Sequence, residues 1–76
     1  MYLRAKRQKQ TIFVYMEPNK AMGDIRRTIA RITGRPATEV RLLAADRRTE
    51  YRDGDTVQSS ELKNDAVIFF AFPGDE

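Results

Sequence analysis

The side chains able to do chemistry in this sequence are carboxylates, basic groups, hydroxyls and aromatic rings; its 76 residues include no histidine and no cysteine. Those two absences remove the usual general base, the commonest metal ligand, the thiolate nucleophile and any disulfide. The carboxylates lie in polar stretches, without the apolar surroundings that tune a catalytic pKa. Asp53-Gly54-Asp55 begins like a calcium loop, but the spaced ligands and closing Glu do not follow, so it reads as a turn. Gly23, Gly34, Gly54 and Gly74 stand alone, not in a phosphate-cradling loop, and Met1, Met16 and Met22 suit a chain start and a core. The expectation is a non-enzyme with no catalytic residue, metal or cofactor.

The remaining chemistry is charge and apolar surface. The formal charge is +3, but it is unevenly spread: residues 1–35 hold nine basic and two acidic side chains, residues 36–76 five basic and nine acidic. A basic first half suits an acidic protein or a nucleic acid, or is simply a solvated face. With 41% hydrophobic and 33% charged residues the composition is that of a globular domain, not a disordered chain. No apolar run reaches the length of a membrane span, and Met1–Arg7 alternates apolar and basic residues, unlike a signal peptide.

The elements that must position these groups follow from periodicity. Leu3–Arg7 and Thr11–Met16 read as strands joined by the short polar loop Gln8-Lys9-Gln10, and Pro18 ends the second. Met22, Ile25, Ile29 and Ile32 form one helical stripe; Gly34 and Pro36 end that helix, and Asn19 or Asp24 is expected to cap its start. Val40–Ala44 is a short strand, Ala45–Glu61 is polar with an isolated Val57 anchor, and Ala66–Phe72 is a continuous apolar run, hence a strand. This order predicts an α+β protein, a β-grasp mixed sheet with one main helix on one face, built as a single domain over residues 1–76.

Strand alternation then assigns faces. Leu3, Ala5, Ile12, Val14, Met16, Leu42, Val67 and Phe69 are expected under the helix. The opposite face would carry Tyr2, Arg4, Phe13, Tyr15, Ile68, Phe70 and Phe72, with Leu43. One helix covers one face only, so this aromatic outer face is the expected protein-binding site; an apolar patch of more than a few hundred Å² usually marks one.

The residues so assembled have a family likeness. Glu17-Pro18, the Ile25–Ile32 helix, Gly34-Arg35-Pro36, Arg41-Leu42, Asp53-Gly54-Asp55-Thr56-Val57 and Leu62-Lys63-Asn64-Asp65 resemble the ubiquitin-like family over nearly the whole chain. Tyr2–Phe13, the basic helix, and Ala71-Phe72 before acidic Asp75-Glu76 resemble its Elongin B branch. That resemblance implies a non-enzymatic adaptor, forming a heterodimer with an Elongin C-like protein through the outer face. The pair would link BC-box or SOCS-box receptors to a cullin ubiquitin ligase, or serve transcription elongation, in nucleus and cytoplasm. Members of that branch usually carry a C-terminal tail that also contacts partners, whereas this sequence runs to Glu76, and Ala44–Arg52 departs from the family's pattern. The ending Phe72-Pro73-Gly74-Asp75-Glu76 has no Gly-Gly, so no conjugation is expected.

Two other readings stand beside it. A generic ubiquitin-like interaction domain would use Leu43, Ile68 and Phe70. A nucleic-acid binder would use Arg26, Arg27, Arg31 and Arg35 with stacked aromatics, but the helix and the aromatic face lie on opposite sides, so phosphate and base contacts would not converge.

Overall fold

The computed structural model describes residues 1–75. Strand β1 (Tyr2–Arg7) pairs antiparallel with β2 (Gln10–Tyr15), placing Leu3 opposite Val14 and Ala5 opposite Ile12. The chain crosses the sheet as helix α1 (Met22–Thr33), makes a 3-10 turn at Ala37–Glu39, and returns as β3 (Arg41–Leu43). After a long irregular stretch β4 (Ala66–Ala71) enters between β1 and β3, parallel to the first and antiparallel to the second. The sheet order is β2-β1-β4-β3, the expected β-grasp arrangement.

Helix α1 buries Met22, Gly23, Ile25, Ile29 and Ala30. Ile32, expected to complete the stripe, is 55% exposed. The buried face is centred on Met22, Ile29 and Ala30, which turns Ile32 to the flank of the last turn. Gly23 is there for close approach: a Cβ on it would sit 3.0 Å from the Asp53 Cβ.

The helix ends solve their unpaired backbone groups differently. No side chain caps the start, contrary to the expectation of Asn19 or Asp24; Ala21 holds the N-cap position. The Met22 N–H donates instead to the Asp55 carbonyl at 2.6 Å, and the Gly23 N–H to the Asp53 carbonyl at 3.3 Å. The Asp53-Gly54-Asp55 turn thus works as a backbone cap from a distant part of the chain. At the other end Gly34 takes the left-handed conformation (φ 73°), and the Gly34 and Arg35 N–H groups both donate to the Ala30 carbonyl. Only glycine enters that conformation at no steric cost.

The core face of the sheet holds Leu3, Ala5, Ile12, Val14 and Leu42 as expected, but β4 is turned over. Ala5 pairs with Ile68 and Leu42 with Phe70, so Ile68 (0% exposed), Phe70 (2%) and, just beyond the strand, Phe72 (6%) lie in the core. Val67 and Phe69 face outward, half-buried. A one-residue slip exchanges every side chain between faces. Because β4 is apolar at every position, alternation alone cannot choose its parity. Volume chooses it: Ile-Phe-Phe fills the space beneath the helix better than Val-Phe-Ala, at roughly 1.5–3 kcal/mol per large side chain buried.

The described C-terminal residues are pinned to β1. Arg7 donates to both Asp75 carboxylate oxygens, at 2.7 and 2.8 Å, and Asp75 Oδ2 also accepts the Phe72 N–H at 2.9 Å. The Arg7 and Arg35 guanidiniums lie over the Phe72 ring, 4.7 and 4.6 Å from its centroid. The Arg7 hydrogen bonds, with the Phe72 N–H, hold the Asp75 carboxyl down to about 2. Glu76, the second acid of the Asp75-Glu76 ending, lies outside the described residues.

Candidate functional site

Two strands with opposite demands build the outer face. On β2 the even positions Ile12 and Val14 go to the core, which forces Phe13 and Tyr15 outward, 64% and 60% exposed. Tyr2 on β1 lies opposite Tyr15 and is 53% exposed; the two rings meet edge to face, centroids 5.1 Å apart. Arg4 lies opposite Phe13, and Lys6 opposite Thr11. Phe13, Tyr15 and Tyr2 form an apolar ridge along the β2 side of the sheet. Asn64 and Asp65 fix its base: Asn64 Oδ1 accepts the Tyr2 N–H at 2.9 Å and the Asp65 N–H donates to the Tyr2 carbonyl at 2.6 Å. Tyr2, Phe13, Asn64 and Asp65 line an open depression of about 420 Å³.

Arg4 crosses this base. Its Nε is 3.1 Å from Asp65 Oδ1, and its Nη2 donates to the Asp65 carbonyl at 3.4 Å. The Nε is itself buried and makes no well-aligned hydrogen bond, so the Asp65 contact there is ionic only.

The other half of the face is more covered. Val67, Phe69 and Ala71 of β4 and Leu43 of β3 are half-buried, and Leu43 pairs with Phe69. The Arg47 guanidinium lies 4.4 Å from the Phe69 ring centroid. The Asp46 carboxylate shapes that loop, accepting the Thr49 and Arg48 N–H groups and the Thr49 hydroxyl, and these bonds hold its pKa below the ordinary carboxylate value. The polar stretch after β3 therefore lays a cation over one of the rings of this face. Lys6, Leu43, Arg47, Phe69 and Ala71 line a groove of about 250 Å³.

Of the residues expected at a binding face, Tyr2, Arg4, Phe13, Tyr15 and Leu43 lie on the outer face of the sheet. Ile68, Phe70 and Phe72 do not; they are core. The patch read as Leu43, Ile68 and Phe70 is in three dimensions Leu43, Phe69 and Ala71. Phe69 and Val67 were missed through the parity of β4, and the bulk of Ile68, Phe70 and Phe72 against Val67, Phe69 and Ala71 was the signal available.

Of the helix-region arginines Arg26, Arg27 and Arg35 are ion-paired, while Arg31 is exposed. Arg26 clasps both Asp53 carboxylate oxygens, at 2.8 and 2.7 Å, and donates to the Ala37 carbonyl. Arg27 donates to Asp24, and Arg35 to Glu39 at 3.2 Å. Among the described residues no group of three or more Asp or Glu is placed to hold a metal ion.

No family model matches the sequence, and no curated protein does. Among solved structures the chain is similar to one in the crystal structure of ATBAG1 in complex with HSP70. The TM-score is 0.87 at 16% identity, covering 99% of this chain and 42% of that one. The chain thus has the ubiquitin-like fold and spans less than half the length of that neighbour.

Proposed function

We propose that this chain is a non-catalytic protein-interaction domain whose binding surface is the outer sheet face centred on Tyr2, Phe13 and Tyr15. The observation that carries the reading is three large aromatic rings, each more than half exposed, on adjacent positions of two strands. An antiparallel sheet facing only water would show polar side chains there. Tyrosine and arginine, both present, are favoured where binding energy concentrates. The structural neighbour ATBAG1 was captured with a protein partner, HSP70, which supports a protein partner in general.

The finer form of this proposal is an adaptor of the Elongin B type paired with an Elongin C-like protein, and the likeness of Tyr2–Phe13 supports it. Co-purification with an Elongin C-like protein tests this form, and no capture of such a protein by the intact face overturns it. The general reading is tested with Tyr2→Asp combined with Phe13→Asp. Both positions are exposed, so the variant keeps its far-UV spectrum and loses its partner. Partner binding that survives the double change removes the face from consideration.

A further inference from the structure

The outer rim of β2 carries a second recognition element, made of main chain rather than side chains. The Met16 N–H donates to the Met1 carbonyl at 2.8 Å and the Met1 ammonium to the Met16 carbonyl at 3.2 Å, so Met1 and Met16 form a hydrogen-bonded pair. Antiparallel pairs alternate. Val14, Ile12 and Gln10 therefore aim their main-chain groups at β1, while Thr11, Phe13 and Tyr15 aim theirs away from the sheet. Among the described residues no strand pairs with that side of β2.

Proteins normally guard such an edge with charge, proline or a bulge. Gln10-Thr11-Ile12-Phe13-Val14-Tyr15 has no charge and no proline, and its pairing with β1 runs unbroken from Tyr2 opposite Tyr15 to Arg7 opposite Gln10. The charges stand just outside the strand: Lys9 four residues before Phe13 and Glu17 four residues after it, both exposed.

We propose that β2 pairs antiparallel with β2 of a second copy of this chain, about a two-fold axis through Phe13. In that register Phe13 faces Phe13 and Thr11 faces Tyr15, so all three outward-aimed residues form hydrogen-bonded pairs. Ile12 faces Val14 on the core side, extending both cores across the junction. Lys9 faces Glu17 at each end, so the symmetry makes the opposite-charge pair twice. Pairing about Ile12 instead sets Thr11 against Phe13 and Lys9 against Tyr15, leaving Glu17 without its counter-charge. The two sheets become one eight-stranded sheet with its aromatic ridges adjoining. This contact uses the main-chain rim of β2, whose Phe13 and Tyr15 also belong to the partner face proposed above; Lys9 and Glu17 lie outside that face, so their charge reversal separates the two proposals.

The test is sedimentation of the full chain over a concentration series, with amide hydrogen exchange at both ends of the series. The mass rises from 8.8 kDa toward twice that value, and the Thr11, Phe13 and Tyr15 amides gain protection as it does. Thr11→Pro removes an N–H that β1 does not use, so the domain stays folded and becomes monomeric. Lys9→Glu weakens self-association about tenfold, and adding Glu17→Lys restores it. A chain that stays monomeric at millimolar concentration overturns the proposal. So does a dimer indifferent to the charge reversal, or rim protection that appears only when a different protein is bound.

Discussion

At the scale of single residues, two phenylalanines of one sheet have opposite duties. Phe70 fills the core and Phe13 stands in solvent. Phe70→Ala should cost about 3–5 kcal/mol, enough to unfold much of so small a domain. Phe13→Ala should change stability by no more than about 0.5 kcal/mol. Urea denaturation of Phe70→Ala checks the parity of β4 directly, since the opposite parity would put Phe70 on the outer face and make its loss nearly as cheap as that of Phe13. The Asp75 carboxyl gives a second test. Folded, it titrates near 2; unfolded, near the ordinary aspartate value of 3.8. Between those values the unfolded chain binds more protons, so the Arg7–Asp75 contribution is complete above about pH 4 and disappears as pH falls toward 2. Carboxyl chemical shifts of Asp75 against pH, and a shallower acid denaturation curve for Asp75→Asn, are the expected outcomes.

At the scale of elements, the helix is held by groups remote from it. Arg26 joins α1 to Asp53 and to the Ala37 carbonyl, so Arg26→Lys, which cannot form the fork, should cost about 1 kcal/mol by chemical denaturation. Gly34→Ala forces a Cβ into a left-handed backbone and should cost about 1–2 kcal/mol. The position of that glycine, the proline after it and the Ile25–Ile29 spacing made the helix and its end legible in the sequence. Its start was not, because the cap comes from backbone carbonyls thirty residues away in the chain, and a carbonyl has no residue signature. The hairpin face was legible because β1 alternates Leu3 and Ala5 with Arg4 and Lys6, and its partner β2 alternates aliphatic Ile12 and Val14 with aromatic Phe13 and Tyr15. The face of β4 was not, because an apolar run has no period. The Tyr2, Phe13 and Tyr15 part of the candidate site could therefore be read from sequence, and the Phe69 part could not.

At the scale of the whole molecule, the basic first half and acidic second half are complementary surfaces of one fold. Arg4, Arg7, Arg26 and Arg35 meet Asp65, Asp75, Asp53 and Glu39, so four ion pairs join residues 1–35 to residues 36–75. Four of the nine basic side chains of residues 1–35 are thus paired with acids of the second half, which interrupts the ordered basic stripe that phosphate recognition needs. Exposed pairs are worth up to about 1 kcal/mol each and are screened by salt, so raising NaCl from low concentration to 1 M should lower the thermal midpoint by a few degrees. The topology reaches further still. The middle of the sheet is made by β1 lying parallel to β4, the first strand against the last. A nascent chain leaving the ribosome therefore holds Leu3 and Ala5 paired with β2 alone, without their β4 neighbours, until Ala66–Ala71 has emerged. The domain closes in one late step, and its exposed β1–β2 hairpin is what a chaperone would meet first.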